Sequence, residues 1–143
     1  MEKILVSACL IGIKCRYDGK SMPNEKVLRL AEKYALVPVC PEIYGGLPTP
    51  RTPSERVGDK VLMKDGRDVT ENYERGADAT LALANLTGAK IAVLKAKSPS
   101  CGKGFIYDGS FCGTLTPRDG VTAEKLTRVG IKVLTENEID ELL

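Results

Sequence analysis

The chain has 143 residues and contains no histidine, no tryptophan and only two phenylalanines. The missing histidine excludes the most. It removes the usual general base near neutral pH, the Ser-His and Cys-His nucleophile pairs, the commonest zinc ligand and every HExxH-type motif. Catalysis in this chain must rest on carboxylates, thiols, lysine or a cofactor. Aromatic residues make up 5% of the chain, so the core is expected to be aliphatic, and little material remains for the stacking platforms of single-stranded nucleic-acid binders. A net charge of +2 gives no basic footprint, so a nucleic-acid partner is not expected. No run approaches the ~20 apolar residues of a membrane span. The N-terminal MEKILVSACLIGIKC is interrupted by Lys14 and Cys15 and has no cleavage region. It reads as a buried strand, and the expected location is cytoplasmic. Neither GxGxxG nor a GxxxxGK phosphate loop occurs.

What is present is sulfur. Five cysteines, an odd number, make a poor disulfide framework in a reducing cytosol and point instead to a metal, a cluster or a reactive thiol.

Strand and helix patterns alternate without an internal repeat or a linker-like composition break, so a single domain over 1–143 is expected. Lys3 to Ala8 is a short apolar run of the kind buried on both faces, and it leads into Cys9. Pro23 can open a helix with a Val27, Leu30, Ala31, Tyr34 stripe. Leu36 to Val39 reads as a second strand ending at Cys40. Ile43 to Pro53 is too rich in Gly and Pro for helix or strand. Val57 to Lys64, followed by Asp65-Gly66, reads as a strand or hairpin. Asp68 and Glu71 suggest a capping box for a helix from Val69 to Thr87, stopped by Gly88. Ile91 to Leu94 is the next buried strand. A helix from Thr122 to Val129, a strand from Ile131 to Leu134 and a helical turn from Asn137 complete the pattern. The order argues for a Rossmann-like α/β fold, three layers with a mainly parallel β-sheet, whose ligands sit beyond the carboxyl ends of the strands.

Cys9, Cys40 and Cys101 each follow an apolar strand, directly or after a short polar loop, and adjacent parallel strands would bring them to one rim. A lone cysteine is often just a small buried hydrophobe; three at equivalent positions, beside turn-forming Pro or Gly, are better explained as ligands. A structural zinc site needs a fourth ligand, which Cys15 could supply. An iron–sulfur cluster on three thiolates leaves one iron open as a Lewis acid, where a sulfur-containing substrate would bind. Carboxylates near these loops are Asp18, Glu42 and Glu55. Glu42 is favoured because CPE places it in the same loop as a candidate ligand, where an apolar rim would desolvate it into a workable base. Ser98 and Ser100, flanking Pro99, offer hydroxyls that could orient a heterocycle or merely close turns.

The segments VSACLIGIKCRYDGK, VCPEIYGGLPTPRTPSE, DVTENYERGA, LKAKSPSCGKGFIYDGSF and RDGVTAEKL closely resemble the thiouracil desulfidase family, over essentially the whole chain. The resemblance implies a 4Fe-4S cluster on Cys9, Cys40 and Cys101 with one open iron. It also implies removal of sulfur from 2-thiouracil or 4-thiouracil without net redox change, giving uracil and sulfide. Glu42 would activate water and Ser98 or Ser100 would hold the ring or the developing charge. Cys15, Arg16 and Asp18 of the CRYDG segment would then contact the substrate, a small thiolated heterocycle, and Cys112 would be structural. The alternatives are a binding module closed by four thiolates including Cys15, or a redox sensor using Cys9 or Cys15; the absence of CxxC weakens the sensor. The sequence is silent on oligomeric state.

Overall fold

The computed structural model describes residues 1–143. Four parallel strands form the central sheet: β1 (Glu2–Ser7), β2 (Tyr34–Val39), β5 (Ile91–Leu94) and β8 (Lys132–Thr135), in the order β2-β1-β5-β8. Between them lie α1 (Glu25–Arg29), α2 (Pro41–Tyr44), the hairpin β3 (Ser54–Val57) and β4 (Lys60–Met63), and α3 (Thr70–Thr87). The short hairpin β6 (Phe105–Tyr107) and β7 (Leu115–Pro117) and helix α4 (Val121–Arg128) precede β8.

Alternation of side chains along β1 explains the layering. Ile4 and Val6 face a core shared with Val27 and Leu30 of the α1 segment and with Ile139 and Leu142 near the C-terminus. Leu5 faces the other way, onto Ala84 of α3 and Ala123 and Leu126 of α4. Helices therefore cover both faces, as a parallel sheet requires, and the mixed α/β, mainly parallel architecture expected from the sequence is observed. A third cluster, built on Val61, Met63 and Tyr73, packs the β3–β4 hairpin onto α3. No helix is long and apolar enough to cross a membrane.

Several boundaries differ from expectation for local reasons. Asn24, rather than Pro23, caps α1 by accepting the Val27 N–H at 3.1 Å. The helix then tightens into a 3-10 turn at Leu30–Glu32, so Ala31 is exposed and Tyr34 already belongs to β2. Ile43 and Tyr44 are helical, because Pro41 at the first position presets the backbone of α2; loop begins only at Gly45. The strand or hairpin expected at 57–64 is a hairpin, but it begins earlier, at Ser54, and turns at Gly58-Asp59. The capping box does not form: the Val69 N–H is bound to Val61 O, Asp68 accepts from the Thr70 N–H and hydroxyl, and Glu71 remains exposed. The β6–β7 hairpin was not anticipated. The C-terminal turn is 3-10, Asp140–Leu142.

Candidate functional site

A cavity of about 590 Å³ opens beyond the carboxyl ends of β1, β2 and β5, lined among others by Cys9, Cys15, Cys40, Glu42, Ser98 and Cys101. Strand β1 connects to β2 on one side and pairs with β5 on the other, so this is the crevice where chain direction across the sheet reverses. Each cysteine arrives by a different local device. Cys9 sits in the 3-10 turn Ala8–Ile11 that follows β1 directly. Cys40 directly follows β2 in extended conformation (φ −136°), which the following proline favours. Cys101 follows a tight turn after β5, in which the Ser98 hydroxyl accepts the N–H groups of Ser100 and Cys101, both at 3.1 Å.

The α2 turn carrying Cys40 and Glu42 is fixed by contact with α3. A Cβ on Gly76 would lie 1.9 Å from the Pro41 carbonyl oxygen, and one on Gly45 would lie 1.9 Å from the Asn72 carbonyl oxygen. Only glycine permits backbones this close. The Asn72 side-chain amide donates to Gly45 O at 2.8 Å and ties the two elements together.

Cys9, Cys15 and Cys101 are buried and Cys40 is half-buried; none forms a disulfide. The Cys101 thiol is pushed up to about 12 by burial and by the nearby Glu42 charge, against weaker hydrogen bonds from Ser7 and Ser100. Cys40 is raised by its contact with Cys15 and by burial. Cys15 reaches about 11: its contact with Cys40 lowers it, but its contact with Cys9 and burial outweigh that effect. These thiols stay protonated near neutral pH unless a cation displaces the protons. Yet no three acidic or thiol groups converge at the spacing a single metal ion needs. The donor set is soft sulfur without imidazole, spread around a roomy cavity, which suits a multinuclear iron–sulfur group better than one zinc ion.

Glu42 lies at the cavity, but not as a lone desolvated carboxylate. Its Oε2 accepts from both Nε and Nη2 of Arg51, whose side chain is 3% exposed. Burial lowers Arg51, but the Glu42 charge and hydrogen bond outweigh it and the guanidinium is stabilised in its charged form. Arg51 also donates to Cys15 O at 3.0 Å, so one side chain joins the Cys15 loop to α2.

The remaining candidates separate. Cys15 and Arg16 line the cavity. Asp18 does not; it accepts the Lys20 N–H and stands 3.9 Å from Arg16, closing a turn. Ser98 lines the cavity, whereas Ser100 is fully buried with its hydroxyl 2.9 Å from that of Thr122. Glu55 also lines the cavity, with Oε1 accepting the N–H groups of Gly109 and Phe111. Cys112 is exposed, its thiol donating to Ser110 O, and so is not part of the core. Arg51 was not among the sequence candidates, because TPRTP lies in a Gly- and Pro-rich loop with no periodicity or motif to mark it. Nor was Lys95, which pairs with Glu136 across 3.0 Å at the rim and whose partner lies on a distant segment with no local signal.

Three comparisons bear on this arrangement. Residues 4–138 match the family described as 2-thiouracil desulfurase. An uncharacterized protein of Bacillus subtilis strain 168, YbbK, is 44% identical over 98% of this chain and 99% of its own length. A solved structure, described as the 4Fe-4S-dependent thiouracil desulfidase TudS, superposes with a TM-score of 0.93 at 44% identity, over 99% of this chain and 95% of that one.

Proposed function

The chain belongs to the 2-thiouracil desulfurase family, and from that premise we propose that it is an iron–sulfur enzyme that hydrolyses the thiocarbonyl of 2-thiouracil or 4-thiouracil to uracil and sulfide. The observation that carries the reading is the meeting of Cys9, Cys40 and Cys101, from the ends of three adjacent strands, on one cavity that Glu42 also faces. The similarity to a 4Fe-4S-dependent desulfidase adds the cofactor. Cys9, Cys40 and Cys101 would hold the cluster, which when bound supplies a Lewis-acidic iron to draw electron density from a thiocarbonyl.

The chain's own groups do the rest. The thiocarbonyl carbon is attacked by water, whose proton passes to the Oε1 oxygen of Glu42; Arg51 occupies Oε2 and keeps the carboxylate aimed. A carbon–oxygen bond forms and the carbon–sulfur bond breaks; the hydroxyl proton of the adduct and the proton held by Glu42 both end on the departing sulfur, so water and thiocarbonyl become carbonyl and hydrogen sulfide, Glu42 is again a carboxylate and no electron is exchanged. The Ser98 hydroxyl stands at the cavity wall and would meet the ring or its developing charge. Arg16 and Cys15 stand at the same wall for substrate contact.

Anaerobic reconstitution tests the reading. The expected product is a brown protein with about four irons per chain that releases sulfide from thiouracil; a colourless zinc protein overturns it. Cys9→Ser should lose the iron and Cys15→Ser should keep it. Equal loss in both would replace the three-ligand site by a four-thiolate one. Glu42→Gln should keep the iron and lose turnover.

A further inference from the structure

The chain has five tyrosines and two phenylalanines, and four of these seven rings, Tyr17, Tyr73, Tyr107 and Phe111, line the one cavity that holds the cysteines. Rings are scarce in this protein, and more than half of them border the space where a planar ligand would sit. Phe111 differs from the others in its backbone. Only two non-glycine residues in the chain have positive φ, Lys97 at 71° and Phe111 at 57°, and both line this cavity. A side chain with a Cβ is disfavoured in that conformation, and strain of this kind gathers at functional sites where the surroundings enforce it.

The enforcing group is Glu55. Its buried carboxylate accepts the N–H groups of Gly109 and Phe111, each at 3.0 Å, across 54 and 56 residues of sequence. Asp108 completes the turn by accepting the Ser110 N–H at 2.9 Å. Glycine would adopt the same backbone more easily at 111, and flanking Gly109 and Gly113 do adopt positive φ. A buried carboxylate thus holds a phenylalanine at the cavity wall in a backbone conformation that glycine would adopt more easily.

We propose that Phe111 is the ring that covers the planar thiolated heterocycle in this cavity, with Glu55 as its positioning residue. The inference rests on the function proposed above and adds the residue that discriminates a flat aromatic substrate from other thiocarbonyl compounds.

The test compares Phe111→Ala, Phe111→Gly, Phe111→Tyr, Glu55→Ala and Glu55→Gln, reconstituted to equal iron content, by kcat, KM and melting temperature. Loss of base stacking predicts that Phe111→Ala and Phe111→Gly raise KM about tenfold or more with kcat little changed, while Phe111→Tyr keeps KM. Phe111→Gly should melt above Phe111→Ala, since it releases the strain, so stability and affinity part company. Glu55→Ala should raise KM in the wild-type background and add nothing to Phe111→Ala, whereas Glu55→Gln, which keeps an acceptor oxygen, should restore the wild-type KM. Unchanged KM in Phe111→Gly, with an active wild type, overturns this inference alone. A wild-type enzyme carrying iron but inert toward both thiouracils overturns the proposed function and this inference with it.

Discussion

Gly76→Ala is the sharpest probe of how the site is positioned. On the exposed face of a helix the change would stabilise, by about 1 kcal/mol of helix propensity. Here the new methyl would lie 1.9 Å from Pro41 O and 2.7 Å from the Pro41 carbonyl carbon. An ordinary carbon–oxygen contact is about 3.3 Å, so the backbones must part by roughly 1.4 Å. The opposing atoms cannot swing aside. They are main chain, in a turn pinned by the Gly45 N–H on Pro41 O at 2.9 Å and by Asn72 on Gly45 O. Overpacking costs about 1–3 kcal/mol and a rigid opponent puts this site at the upper end, leaving a net loss of about 2 kcal/mol after the propensity gain. For a chain of this size that lowers the melting temperature by roughly 5–10 °C. Function should suffer more. Cys40 and Glu42 ride on the displaced turn, and misplacing a catalytic group by about 1 Å can cost roughly a hundredfold. The assay is thermal unfolding of the cluster-free protein, followed by iron content and turnover after reconstitution, with exposed Glu74→Ala on the same helix as control. A Gly76→Ala protein that melts at or above wild type and turns over normally would refute the close-packing argument.

Two further outcomes follow from the same geometry. Ser100→Ala leaves the buried Thr122 hydroxyl without its partner, so it should cost about 1–3 kcal/mol in denaturant unfolding and leave KM unchanged. Ser98→Ala strips the acceptor from two N–H groups at the Cys101 turn and removes a hydroxyl from the cavity, so it should lose both iron retention and KM. For pH, the Cys101 thiol rises from an ordinary value of 9.0 to about 12, and Cys15 from 9.0 to about 11. A raised value in the fold means stability that is complete below pH 9 and is lost as pH climbs toward 11–12, because the unfolded chain releases those protons first. Denaturant titration of cluster-free protein should show this fall, and Cys101→Ala should flatten it; a wild-type slope in Cys101→Ala excludes burial of that thiol as the cause.

The sheet was legible because each of its strands is a short apolar run ending in a turn signal, and that same property announced Cys9 and Cys40 as rim residues. Cys101 was legible for a related reason: the Ser98–Gly102 segment can only be a turn. Less legible were features made by pairing across sequence. Glu42 was readable as a carboxylate at a strand end, but its partner Arg51 comes from a Gly- and Pro-rich loop without periodicity, so the sequence suggested a desolvated base where the fold builds an ion pair. Ser98 and Ser100 are indistinguishable by spacing. Their roles divide only once α4 brings Thr122 onto one of them. Glu55 looked like another candidate acid–base group. Its two N–H partners, 54 and 56 residues further on, turn it into an anchor.

A site without histidine has to manage protons by other means, and the arrangement indicates how. The carboxylates at the rim are paired with cations or with backbone donors: Glu42 with Arg51, Glu136 with Lys95, Glu55 with two N–H groups. Three thiols beside them are pushed up: Cys40 by its contact with Cys15 and by burial, Cys15, against the lowering contact with Cys40, by its contact with Cys9 and by burial, and Cys101 by burial and the Glu42 charge. Those three thiols are uncharged near neutral pH, and the large change available to them is loss of their protons to a bound cation. Ligation on Cys9, Cys40 and Cys101 would introduce three thiolate charges into a cavity already lined by Arg16, Lys64 and Lys97 as well as the two paired cations. The cavity thus sets five cations around its thiols, and the Arg51 guanidinium holds the Glu42 carboxylate at one oxygen only, Oε2.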